Sequence, residues 1–106
     1  MIVRSDAPFG VQAAMIVHAA GQSAQLPGAS TALSPTTAVA LEAPPEALLA
    51  LERLLVAQGV PHVLVREPDE PWRGAPMAIG VVPMPRARVR RLLAHLSLLR
   101  GKDCHV

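Results

Sequence analysis

The apolar positions of this chain follow two different periods, and each change of period marks the end of an element. Met1-Ile2-Val3-Arg4 is a short apolar run with branched residues at its centre, which suits a buried strand. Asp6-Ala7-Pro8-Phe9-Gly10 supplies the turn after it. Val11, Ala14, Met15, His18, Ala19 and Gln22 then recur at i, i+3, i+4, i+7, the spacing of a helix of about three turns. Gln25 to Thr36 holds two prolines, a glycine and no charge, and reads as a loop.

Thr37 to Leu41 reads as a second strand. Glu42-Ala43-Pro44-Pro45 opens a second helix, with Pro45 tolerated in the first turn and Glu46 at the positive end of the helix dipole. Leu48, Leu51, Leu55 and Gln58 form its stripe, Leu54 lies beside it, and Gly59 ends it. His62 to Arg66 is a third strand, Glu67 to Gly74 an acidic, proline-broken loop, and Met77 to Val82 a continuous apolar fourth strand of the kind buried on both faces. After Pro83-Met84-Pro85 a last helix is expected. It would turn Val89, Leu92, Leu93, Leu96 and Leu99 inward and Arg88, Arg91 and His95 elsewhere, and Gly101 would stop it. This order implies an α/β fold, with a largely parallel or mixed sheet covered by helices on both faces, because parallel strands need crossover connections.

A chain of 106 residues has room for one domain, read as residues 1–101 with a tail at 102–106. Apolar residues make up 51%, which argues against disorder. Aromatics reach 2%, as Phe9 and Trp72, too few for a surface built on stacked rings. The longest candidate membrane segment, Ala47 to Val60, is broken by Glu52 and Arg53 and falls short of the roughly 20 residues a span needs, so no membrane partner is expected. The opening residues lack the basic start and apolar core of a secretory signal, so a cytoplasmic location is expected. The one cysteine, Cys104, has no partner for an internal disulfide, and no Cys/His spacing resembles a zinc site; Cys104-His105 reads as part of a frayed tail.

Charge is distributed unevenly. Residues 1–70 carry 3 basic and 7 acidic side chains, whereas residues 71–106 carry 7 basic and one acidic. An anionic partner is therefore sought in the last third. Arg86, Arg88, Arg90, Arg91 and Arg100 lie on or beside one predicted helix with no acidic residue to pair them, which fits either a solvated face or a set of phosphate contacts.

Generic catalytic signatures are missing: there is no G-x-S-x-G, no G-x-x-x-x-G-K-[ST] and no G-x-G-x-x-G. His18, on the apolar stripe of the first helix, fits a buried histidine bonded to backbone or a base at a cleft edge. Glu67 follows a strand directly, at the kind of strand end where ligands sit, and fits either a functional carboxylate or a solvated one like Asp69 and Glu70. Trp72 fits a stacking role or a cover for the core.

The segment Gly10-Val11-Gln12-Ala13-Ala14-Met15-Ile16-Val17-His18-Ala19-Ala20, after a strand ending in Arg4 and close to Asp6, resembles the first helix of the type II peptidyl-tRNA hydrolases. Their pattern runs roughly G-K-x-A-A-Q-x-S-H-A. Ala38-Val39-Ala40-Leu41 before a Leu-rich helix, Gly59-Val60-Pro61 before Val63-Leu64-Val65-Arg66-Glu67, and Ile79-Gly80-Val81-Val82-Pro83 before the last helix keep step with that family. The likeness covers most of the chain except Gln22 to Thr36.

The resemblance implies a small α/β domain with a mixed four-stranded sheet and helices on both faces. It also implies cleavage, with no metal and no cofactor, of the ester joining a peptide to the tRNA ribose. The family's helix lysine falls on Val11, its glutamine on Met15, its serine on Val17, its aspartate after the third strand on Glu67, and the threonine of its P-G-T segment on Ala75. Ester hydrolysis needs a positioned water and an oxyanion stabiliser, which Val11 and Ala75 do not supply.

The expectation is thus a peptidyl-tRNA hydrolase-like protein with Glu67 and His18 as catalytic candidates. Val11, Met15, Val17 and Ala75 would line the cleft, and Arg86, Arg88, Arg90 and Arg91 would contact tRNA or another RNA. A catalytically inactive relative that binds RNA or a protein, and a hydrolase of another small ester or amide, are the alternatives. The apolar surplus also suits a homodimer.

Overall fold

The computed structural model describes residues 1–29 and 38–100. The branched run Ile2–Arg4 is strand β1, with Ile2 and Val3 fully buried. Helix α1 is Phe9–Ser23, β2 is Leu41–Ala43, α2 is Pro45–Ala57, β3 is His62–Glu67 and β4 is Ala75–Val81. A 3-10 turn at Arg86–Arg88, a short helix α3 at Arg90–Leu93 and strand β5 at Ser97–Leu98 complete the described chain.

The strands form one mixed sheet in the order β3-β4-β1-β2-β5. β1 runs parallel to β2, with Val3 opposite Glu42, and antiparallel to β4, with Ile2 opposite Ile79. The β3–β4 hairpin extends from His62 opposite Val81 to Glu67 opposite Ala75, with a register shift at Val65/Arg66.

Side chains alternate across a strand, and the two cores follow that alternation. Ile2 and Ile79 face Leu48, Leu51 and Leu55 of α2. Val3 and Ala78 share the other face with Met15 and Ala19 of α1. Leu48, Leu51 and Leu55 are the leucines at helical spacing, and all three are buried. A second link ties α2 to β3: the Nε2 atom of His62 meets the Glu52 carboxylate, and its Nδ1 meets the Val60 carbonyl oxygen at 2.7 Å. Among the described residues no helix is long and apolar enough to cross a membrane.

Four expectations need correction. The sheet has five strands, not four: Ser97–Leu98, expected inside the last helix, pairs antiparallel with β2, and Leu99 N–H donates to Ala40 O at 3.0 Å. That pairing covers an edge of β2 that would otherwise stand open. The last helix is reduced to a 3-10 turn and four residues of α3. Val89, Leu92, Leu93 and Leu96 do pack on the α2 side of the sheet, while Leu99 packs on the α1 side; the like charges of Arg86, Arg88, Arg90 and Arg91 repel at helical spacing, and neither segment has a side-chain cap.

The second strand starts at Leu41 instead of ending there, because the half-buried Glu42 belongs to the ladder with β1. Helix α1 is rotated from its expected stripe. It buries Gln12, Met15, Ala19 and Ser23 and leaves His18 exposed. Gln12 is buried because its side-chain amide donates to Arg4 O at 3.0 Å, answering the last carbonyl of β1. The expected start of the second strand at Thr37, most of the loop to Thr36, the stop at Gly101 and the tail with Cys104 and His105 lie outside the described residues.

Candidate functional site

The end of β3, the first turns of α1 and the loop joining β3 to β4 converge on one open cleft of about 320 Å³. Helix α1 supplies Gly10, Val11, Ala14 and Met15 to it, and the loop side supplies Glu67, Asp69, Glu70 and Trp72. The floor is apolar and the opposite rim carries three carboxylates. The loop is fixed by Gly74 N–H donating to Glu67 O at 2.7 Å, and by Arg66 Nη1 donating to Gly74 O at 2.9 Å. Arg73 and Gly74 turn the chain with positive φ, 48° and 82°.

Glu67 is half-buried and partly oriented, since its Oε1 accepts the Asp69 N–H at 3.1 Å. Ala75 lies directly opposite it in the hairpin, so a side chain at 75 is the cross-strand neighbour of the Glu67 carboxylate. Glu70 is paired with Arg73, whose Nε donates to both of its oxygens at 2.7 and 2.8 Å.

One wall of the cleft is braced by a set of contacts that periodicity does not reveal. The Arg4 guanidinium grips the Asp6 carboxylate with two hydrogen bonds, 2.7 and 2.9 Å, and donates to Pro76 O at 3.2 Å. Its Cζ lies 5.0 Å from the centre of the Trp72 ring, within cation–π range. The hydrogen bond to Asp6 raises the Arg4 pKa; partial burial opposes it, and the Asp6 charge adds to the rise. Arg4 therefore stays a cation and holds Trp72 over the cleft.

The sequence-derived candidates divide. Val11, Met15 and Glu67 meet in the cleft. Ala75 lies beside Glu67 and packs against the α1-face core. Val17 is 70% exposed and does not line the cleft. His18 is exposed, four residues past Ala14, and so lies one helical turn further along the same side of α1. Among the described residues no three His, Cys, Asp or Glu side chains are grouped to hold a metal ion.

The arginines are elsewhere. Arg86, Arg90 and Arg91 line an open groove of about 620 Å³ with Ala87 and Ala94, and Arg88 lies outside it. Val89, Leu92, Leu93 and Leu96 anchor that segment to the α2-face core. The groove and the Glu67 cleft thus lie on opposite faces of the sheet. Compared with known proteins, the chain matches no family model, no curated protein and no solved structure.

Proposed function

We propose that this protein is a peptidyl-tRNA hydrolase-like enzyme, acting on the ester between an acyl or peptidyl group and the ribose of a tRNA. The observation that carries the reading is the meeting of Glu67 with the first turn of α1 in one cleft. The N–H groups of Gly10 and Val11 have no carbonyl of their own helix to bond, and they stand at the positive end of its dipole. They offer an ester oxygen the stabilisation that a lysine or hydroxyl would otherwise provide.

In this reading Glu67 takes a proton from water, and the resulting hydroxide attacks the ester carbonyl carbon. Negative charge collects on the carbonyl oxygen near the helix terminus. The bond to the ribose oxygen then breaks, and that oxygen takes up the proton. The apolar floor of Val11, Ala14 and Met15 receives the acyl side chain, and His18 extends the rim toward the rest of the substrate.

A second reading, an inactive relative that binds RNA or a protein, is favoured by the separation of the arginine groove from the cleft. Hydrolysis of an N-blocked aminoacyl-tRNA by the purified protein, with the spontaneous rate subtracted, decides between them. Release above background that Glu67→Gln abolishes supports the enzyme, with His18→Ala raising KM more than it lowers kcat. A wild-type rate equal to background, or one that Glu67→Gln leaves unchanged, overturns it.

A further inference from the structure

We infer that the groove of Arg86, Arg90 and Arg91 is a docking site for the sugar-phosphate backbone of double-helical RNA. It is separate from the Glu67 cleft and rests on the preceding reading only for the choice of RNA as polyanion. Three observations lead there.

First, these arginines stand without acidic partners. Among the described residues, Arg4 is paired with Asp6, Arg73 with Glu70 and His62 with Glu52, whereas no carboxylate lies within ion-pairing distance of Arg86, Arg90 or Arg91. Three exposed guanidinium groups around one concave surface set up a field that draws in phosphates, and each has the fork geometry to hold phosphate oxygens in pairs.

Second, the arginines are placed against the interest of their own helix. Four cations fall within residues 86–91, with Arg86 and Arg90 four apart and Arg88 and Arg91 three apart, spacings at which like charges oppose a helix, and the predicted helix shrinks to four residues. A local rule broken without a compensating gain in the fold marks a place where something other than folding selects the residues.

Third, the groove commits to one form of the polymer. Its floor is Ala87 and Ala94, small enough for a backbone to approach, and it contains no aromatic side chain. The chain's two aromatics are at Phe9, opening α1, and Trp72, in the cleft. Binding of single strands depends on stacking their bases on such rings, whereas double-helical RNA is held through phosphates and shape.

The test is fluorescence anisotropy with a labelled RNA duplex of twelve base pairs and, separately, one of its strands, at 50 and 200 mM salt. Wild type should bind the duplex more tightly than the strand. Arg86→Ala, Arg90→Ala and Arg91→Ala should each weaken duplex binding roughly tenfold at the lower salt and flatten the slope of log K against log salt by roughly 0.7 to 0.9. Arg53→Ala, which removes an exposed arginine from α2, should change affinity less than about twofold.

The proposal fails if wild type does not bind the duplex, if the strand binds as tightly, or if Arg53→Ala weakens binding as much as the groove substitutions do. Hydrolysis measured on the same wild-type preparation keeps the two readings apart. Cleavage without duplex binding removes the groove and keeps the cleft; groove-dependent binding without cleavage keeps the groove and removes the cleft.

Discussion

Gly80 of β4 lies directly beneath Ala19 of α1: a methyl group placed on Gly80 would come within 2.9 Å of the Ala19 carbonyl carbon and closer still to its oxygen. The neighbour is helix backbone, which does not swing aside as a side-chain tip does. Gly80→Ala should therefore lift α1 from the sheet and destabilise the protein by about 1–3 kcal/mol. In a domain of this size that lowers the melting midpoint by roughly 4–8 °C per kcal/mol. A midpoint within about 1 °C of wild type, by calorimetry, would mean that α1 does not ride this close to the sheet.

That contact also explains which features the sequence could reveal. Helix α2 has more contrast, with Glu46, Glu52 and Arg53 marking its polar side, and Leu48, Leu51 and Leu55 are buried as read while Gln58, read onto the same stripe, is exposed. Helix α1 has almost none: Val11, Ala13, Ala14, Ile16, Val17 and Ala20 surround it with apolar or small side chains, so period alone does not fix its rotation. The inward face is set by Ala19 over Gly80 and by Gln12 bonded to Arg4 O, both long-range facts. Strand β5 is only two residues, defined by its partner β2, and has no pattern of its own. That Glu67, Val11 and Met15 share one cleft was legible through the likeness of the Gly10–Ala20 segment to a known helix; chain order by itself marked only Glu67, at a strand end. The Arg4–Asp6–Trp72 brace was not legible, because nothing local couples residue 4 to residue 72.

Trp72 is the only tryptophan in the chain and lines the cleft, so its fluorescence reports on that brace. Arg4→Lys keeps the charge but loses the planar fork that bonds Asp6 while lying on the ring. It should shift Trp72 emission to the red as water reaches the indole, and lower stability by about 1–2 kcal/mol through the lost charged hydrogen bonds. An unchanged emission spectrum would show that Arg4 does not hold the ring.

The amino group of Met1 donates to Val39 O at 2.9 Å, and burial lowers its pKa from the ordinary value. Between the lowered folded value and the unfolded value of about 8, the unfolded chain carries the extra proton, so stability rises with pH. The contribution is complete above about pH 8 and is lost as pH falls through the folded value. Urea unfolding followed across this range should show the rise, and acetylation of the amino group should flatten it. A rise of equal size in the acetylated protein would assign it to other groups.

The cleft itself can be tested by restoring what its apolar positions leave out. Val11 shares the cleft with Glu67 and Asp69, so Val11→Lys places an ammonium near two carboxylates that attract it, Glu70 being already paired with Arg73. Ala75 is opposite Glu67 in the hairpin, so Ala75→Thr sets a hydroxyl within reach of the same carboxylate and of a water it activates. Both positions are only partly buried, so the larger polar groups have an exit toward solvent. If the cleft holds an ester as proposed, the double variant should cleave N-blocked aminoacyl-tRNA at least roughly tenfold faster than wild type, since one oxyanion donor is typically worth 10²–10³ in rate. The gain should require both changes and vanish with Glu67→Gln. A folded double variant with no gain would mean that residues 11, 67 and 75 do not surround a reacting carbonyl, whatever the protein binds.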